Sequence, residues 1–303
     1  MGNLRLIRQD RRFRPQQQTL GIIFIIPMVA FLLVFVVYPV LYNIFLSFTN
    51  ARLIKKDYSF INFDNYKKIF TDLRFLTYVK NTVVWTVASV IGQLSLGLMI
   101  ALMINRKSSG TGLRSFLLIP YVVPAVAIAL VTKWVMNGDY GIISYWFQTL
   151  GLIEHRQSPL AIPGSAMAVL VIVNVWRSYP FPMLIYWATL KGIDKELYEA
   201  ASVDGAGTIQ SFLHITLPHL RDTTIVLVVL RIVWTATYFD LPWLITGGGP
   251  AGSTTHLPIM IYQASFGTFQ TGYASSLSVI LGLSLFLCVV FYVRKTISND
   301  SGR

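Results

Sequence analysis

From Leu241 to Val293 the chain carries no Asp, Glu, Lys or Arg. A soluble domain is about a quarter charged, and a charge-free run this long has no place in one. The same emptiness recurs over Thr19–Ala51, Asn81–Asn105 and Ser115–Thr132. Ala166–Leu190 holds one charge, Arg177, and Thr223–Ile245 holds two, Arg231 and Asp240. A bilayer core is about 30 Å thick and a helix rises about 1.5 Å per residue, so about 20 apolar residues cross it. The intervals predict an all-α membrane protein with six transmembrane helices, at about 20–46, 80–104, 115–136, 166–189, 223–245 and 274–294.

The charges that remain are lopsided, with 25 Lys and Arg against 13 Asp and Glu, a net +12. In a soluble chain that excess points to nucleic acid. With only 13% charged residues and a mean hydropathy of +0.59, it points instead to membrane lipid and orientation. If the N-terminus is inside, fourteen Lys and Arg fall in cytoplasmic segments and eight outside, seven of these between Arg52 and Lys80. Cytoplasmic loops carry the basic excess, so the count favours N-in and C-in. Residues 1–19 read as a basic cytoplasmic tail and 20–303 as one transmembrane domain. The first apolar run, about 27 residues, outruns a signal h-region of 7–15 and no A-x-A site follows it. It is therefore expected to be retained.

Several chemistries are excluded. Cys288 is the single cysteine, and His155, His214, His219 and His256 have no metal-ligand spacing. No G-x-x-x-x-G-K-[ST] occurs, so the chain cannot hydrolyse ATP by a P-loop mechanism. H-E-x-x-H and G-x-S-x-G are also absent, which leaves an intramembrane enzyme without a motif.

The loop at about 191–221 stands out. Asp194 can N-cap a helix to about Val203, on which Leu197, Ala200 and Ala201 share a face at i, i+3, i+4. Gly205 and Gly207 permit a sharp turn because glycine accepts φ > 0. Thr208 can cap a second helix bearing Ile209, Phe212, Leu213 and Thr216, and Pro218 is expected to end it. This helix-turn-helix is tethered at both ends and nearly neutral, which argues against DNA. It fits an amphipathic segment on the membrane or a docking knob for a cytoplasmic partner.

Glu199-Ala200-Ala201, then Gly205, then Ile215 and Leu217-Pro218 resemble the EAA motif of inner-membrane permeases of binding-protein-dependent ABC importers. Asn62-Phe-Asp-Asn-Tyr66, Asp72 and Asn81-Thr82 resemble the first outside loop of carbohydrate-type permeases. Ile119-Pro-Tyr-Val-Val-Pro124, Asn174-Val-Trp-Arg-Ser-Tyr-Pro180 and Thr246-Gly-Gly-Gly-Pro250 are similar to the MalF-like, or first, permease of sugar importers. The resemblance covers about residues 20 to 295. It implies the type I importer (MetI-like) fold in a bacterial cytoplasmic (inner) membrane. It implies a second homologous permease, two ATPase subunits that bind ATP and Mg (no cofactor in this chain), and an extracytoplasmic solute-binding protein. By position, Glu199, Ala200, Ala201, Asp204, Gly205 and Phe212 would couple to the ATPase, with a coupling helix from about Leu197 to Phe212.

Ionisable residues inside a span cost a few kcal/mol or more and are functional candidates by default. Asp240 is expected to neutralise Arg177 or Lys133 from a neighbouring helix if those charges are structural. The resemblance implies solute contacts at Tyr121 and Ala125, at Asn174, Arg177, Ser178 and Phe181, and at Arg231, Thr235 and Tyr238. Helical spacing agrees, since the second set falls at i, i+3, i+4, i+7 and the third at i, i+4, i+7. Hydroxyls, an amide and rings suit a di- or oligosaccharide. The two arginines leave open an anionic solute such as glycerol phosphate or a uronate. Trp176, Trp234 and Trp243 offer either ring stacking or interfacial anchoring.

Overall fold

The computed structural model describes residues 15–55, 57–106, 111–153 and 157–300. Most of the basic tail to Arg14, with Lys56, Lys107, Arg156 and Arg303, lies outside the described residues. The elements are α1 (15–47, with a π turn over Leu33–Val37), α2 (Asp64–Thr71), α3 (Leu73–Arg106), α4 (Thr111–Val122), α5 (Ala125–Val135), α6 (Ile142–Thr149), α7 (Pro163–Ser178), α8 (Pro180–Lys191), α9 (Lys195–Val203), α10 (Thr208–His219), α11 (Arg221–Ala236), α12 (Asp240–Thr246), α13 (257–267) and α14 (Thr271–Asp300). Among the described residues the only β pairings are isolated bridges, Thr49 with Phe60 and Arg52 with Lys55.

Three helices are long and apolar enough to cross a bilayer alone: Phe24–Ser47, Leu73–Asn105 and Thr271–Arg294. The expected third and fourth spans are each a bent pair, α4 with α5 at 84° and α7 with α8 at 43°. Proline sets both bends. Val123 precedes Pro124, which disfavours helical backbone there, and Pro180 removes a helical donor and crowds the preceding turn.

The expected continuous helix at 223–245 is corrected. The chain is helical over Arg221–Ala236, breaks at 237–239 and resumes at Asp240–Thr246. Pro242 supplies the reason, because it has no N–H for the carbonyl of Tyr238 four residues back and its ring crowds that oxygen. His256 fills the vacancy, its Nε2 lying 3.0 Å from the Tyr238 carbonyl oxygen. The second expected span also starts earlier than predicted, at Leu73, so Arg74 and Lys80 belong to α3 and not to a loop.

α3 is the axle, packing against α7, α8 and α11. Gly92 makes the α7 contact possible, since a Cβ there would lie 2.5 Å from Val175 Cγ2. Gly92→Ala should therefore lower the stability of the purified protein by about 1–3 kcal/mol through overpacking. Val175→Ala in the same chain should recover most of the melting temperature. α14 packs on the outer part of α1, Tyr38–Ser47, whereas every residue from Phe24 to Tyr42 is exposed. Such an apolar surface faces lipid or a partner.

The Asn62–Tyr66 segment is a staple. Asn65 Nδ2 donates to the carbonyls of Ser47 (3.0 Å) and Thr49 (2.8 Å), satisfying the end of α1, and Tyr66 Oη lies 2.7 Å from Ser47 Oγ. In the first turn of α3, Arg74 forks onto Asp72 at 3.1 and 3.0 Å and holds that carboxyl below its usual range. Asn81 Nδ2 then donates to the carbonyls of Gly252 (3.2 Å) and Thr255 (2.9 Å), and the Leu257 N–H donates to Thr82 Oγ1 at 2.9 Å. These bonds pin the Gly-rich outer loop to α3.

Candidate functional site

Tyr121, Asn174, Arg177, Ser178, Arg231, Trp234, Thr235 and Tyr238 enclose one cavity of about 180 Å³. Its walls come from the end of α4, the end of α7, and α11 with the break after it. The spacing argument holds for Asn174, Arg177 and Ser178, which share the last turns of α7. It fails for Phe181, because the bend at Tyr179–Pro180 carries Phe181 off that face. Phe181 does not line the cavity. It backs the wall, with its ring centroid 6.4 Å from Tyr121 and 5.2 Å from Trp234. Ala125 lies across the 84° bend and is likewise outside the lining. Tyr238 reaches the cavity from the break, not from a helix face.

Burial here is deep. Asn174, Ser178, Arg231 and Thr235 are all buried and Arg177 is half-buried. Arg231 Nε donates to Gln93 Oε1 at 2.7 Å. Its Cζ lies 5.8 Å from the Trp234 ring, and that of Arg177 lies 5.4 Å from the Tyr238 ring. The expected pairing with Asp240 is not formed, because the break turns Asp240 outward to an exposed position at the start of α12. Among the described residues the ion pairs are Lys67–Asp64 and Arg74–Asp72, both outside this cavity. Several polar atoms around it have no partner: Asn174 Nδ2, Arg177 Nε, Thr235 Oγ1, Tyr238 Oη and, behind Arg231, Gln93 Nε2. Buried polar groups are normally satisfied, so these atoms have bonding capacity left for water or a polar ligand.

Sequence reasoning missed two supports. Gln93 is fully buried in α3 behind Arg231, and Trp85 Nε1 donates to the Thr235 carbonyl at 2.9 Å. Gln93 was detectable as a polar side chain in the middle of a charge-free interval. Trp85 carried no such signal.

The second site is the loop at the other end. α9 closes in a Schellman motif, in which the Ala206 N–H donates to the Ala201 carbonyl at 2.8 Å and the Gly205 N–H to the Ser202 carbonyl at 3.1 Å. Gly205 holds φ +80°. The helix-turn-helix expected here is formed by Lys195–Val203 and Thr208–His219, so the coupling segment over 197–212 spans two helices and the turn between them. Gly207, not Thr208, is the N-cap of the second, because the Gln210 side chain returns to the Gly207 N–H at 2.9 Å. Nor does Pro218 end that helix, which runs on to His219. A π turn over Phe212–Thr216 lets the Leu217 N–H reach the Phe212 carbonyl, and the widened turn makes room for the proline ring. Glu199, Ala200, Asp204 and Gly205 are exposed and Ala201 is half-buried. Phe212 points the other way, into a groove of about 680 Å³ shared with Met99 and Met103 of α3.

Comparisons with known proteins identify the family. Residues 93–299 match the family described as "Binding-protein-dependent transport system inner membrane component". A sulfoquinovosyl glycerol transport system permease protein of Agrobacterium fabrum is 35% identical over 308 residues, spanning 97% of this chain and 98% of that protein. A multiple sugar-binding transport system permease protein of Streptococcus mutans is 30% identical over 90% and 94%. A trehalose/maltose transport system permease protein of Thermococcus litoralis is 30% identical over 93% and 95%. In fold, the chain is similar to a subunit of a bacterial ABC transporter that imports the acidic polysaccharide alginate. That match has a TM-score of 0.80 at 22% identity and covers 93% of this chain and 96% of the other.

Proposed function

Since the chain belongs to the family of binding-protein-dependent transport system inner membrane components, we propose that it forms half of the translocation path of an ATP-driven sugar importer. It is a permease of the carbohydrate ABC class, as are its relatives named for sugars. The observation that carries the solute path is the cavity itself, where three bent or broken spans bring eight polar and aromatic side chains around about 180 Å³. Drug-sized sites run to about 300–1,000 Å³, so this chain holds one part of a di- or oligosaccharide and a second, homologous permease holds the rest. Exposed Phe24–Tyr42 is the surface offered to that partner and to lipid.

The exposed knob at Glu199–Gly205 docks one of two ATPase subunits, which supply ATP and Mg chemistry that this chain lacks. With N-terminus and C-terminus inside, the knob is cytoplasmic. Arg52, Lys55, Lys67 and Lys68, all exposed, then face the solute-binding protein outside. A complex with a sugar-loaded periplasmic protein is known for a fold neighbour. The test is reconstitution. Proteoliposomes holding this chain, the second permease and the ATPase should accumulate labelled sugar only with ATP and the binding protein. Solute flux through this chain without ATPase subunits would make it a channel and sink the reading.

A further inference from the structure

We infer that the solute is an acidic sugar, and that its anionic oxygens sit between Arg177 and Arg231. The inference rests on the sugar-importer reading and narrows it.

The argument starts from charge. Arg231 is 5% exposed and Arg177 half-buried, and the two line the same cavity. Neither has a carboxylate partner among the described residues. Asp240 is exposed and makes no ion pair. Two cations are thus held at mid-span with only a neutral amide and two ring faces against them. Buried charge is expensive unless paired, and an anion entering the cavity removes that cost.

The sign of the unpartnered atoms agrees. Arg231 Nε can only donate, so the Gln93 atom it meets is the carbonyl oxygen, and Gln93, fully buried behind Arg231 and outside the cavity lining, holds that guanidinium without neutralising it. Asn174 Nδ2 and Arg177 Nε are donors as well. Only Thr235 Oγ1 and Tyr238 Oη can also accept. A neutral sugar hydroxyl brings one proton beside its two lone pairs, and the N–H groups here can accept none of those protons. A carboxylate, sulfonate or phosphate offers acceptors alone and matches this set. Guanidinium groups suit such oxygens in particular, by charge-assisted and bidentate bonds.

The test is binding to the assembled permease–ATPase complex in nanodiscs, without the binding protein, whose own selectivity would mask the cavity's. The probes are matched: glucose with glucuronate, glucose 6-phosphate and 6-deoxy-6-sulfoglucose, and cellobiose with its uronate. At least one acidic probe is expected to bind on the order of tenfold more tightly than its neutral parent. The strongest acid identifies the anion. Arg177→Gln and Arg231→Gln should each erase that preference, and Arg231→Lys, which keeps the charge, should retain most of it. The wild-type ratio needs no variant to fold. A neutral parent that binds as tightly as every acid overturns the inference and leaves the sugar-importer reading standing. Binding by no sugar at all overturns both.

Discussion

Gly205→Val is expected to abolish ATP-driven uptake while the importer still assembles and purifies at normal yield. Nothing lies within 4 Å of a Cβ built at Gly205, so the damage is not a clash. It comes from φ +80°, a left-handed conformation costing an L-residue roughly 1–2 kcal/mol and a β-branched one more. Leaving that region breaks the two hydrogen bonds that close α9, Ala206 to Ala201 and Gly205 to Ser202. The exposed face of Glu199, Ala200 and Asp204 then loses its angle to α10. The loop's link to the membrane helices survives, because Tyr198 Oη stays 2.9 Å from Thr216 Oγ1 one helix away. Gly205→Asn should keep much of the transport, since asparagine visits the left-handed region at low cost, and Gly205→Ala should fall between. The measurement is uptake alongside ATPase activity stimulated by the binding protein. Uptake by the valine variant at the wild-type rate would show that this turn does not transmit motion.

What was legible in the sequence was mostly what hydrophobic length encodes. A charge-free interval must be buried in lipid or protein, so six apolar intervals mark six crossings whatever their shape. The shape of each crossing depends on which carbonyls lose their donors, and that is a proline question. Pro124 and Pro180 stand where the two bent spans turn. Pro242 was the informative one, and its i−4 partner is Tyr238. Read that way, the sequence places a break at 237–239 and removes Arg231 and Asp240 from one helix. Pro218 carries the opposite lesson, because a π turn over Phe212–Thr216 absorbs it, and apolar periodicity holds no record of such a turn. The cavity residues were legible as helix-face patterns because the breaks fall at the ends of those patterns. Phe181, just past the bend at Tyr179–Pro180, and Ala125, across the 84° bend, left the lining. Gln93 and Trp85 escaped because their partners lie 138 and 150 positions away, beyond the reach of any local rule.

The break at 237–239 yields the second large expectation. A helix that ends leaves carbonyls without donors, and inside a membrane no water replaces them. Two side chains add to the backbone here. Trp85 Nε1 donates at 2.9 Å to the Thr235 carbonyl, which also takes the Tyr238 N–H at 3.2 Å, and His256 Nε2 stands 3.0 Å from the Tyr238 carbonyl oxygen. Their rings lie 5.9 Å apart, so they form one prop beneath the residues that line the cavity. Trp85 is 1% exposed and packs in a core with Ile128, Met167, Leu170 and Leu241. Trp85→Ala should cost about 3–5 kcal/mol of stability from the void it leaves. It should also cut uptake severely, because Thr235 and Tyr238 lose the support that fixes their side chains. Trp85→Phe retains most of the volume and loses the single donor, a cost of about 1 kcal/mol. It should therefore keep near-normal melting while uptake falls in part. Thermal unfolding of the complex in nanodiscs, beside uptake in proteoliposomes, separates the two effects. If Trp85→Ala melts like the wild type, the prop carries no strain-bearing role, and the break must be held by the Asn81 and Thr82 bonds to the outer loop instead.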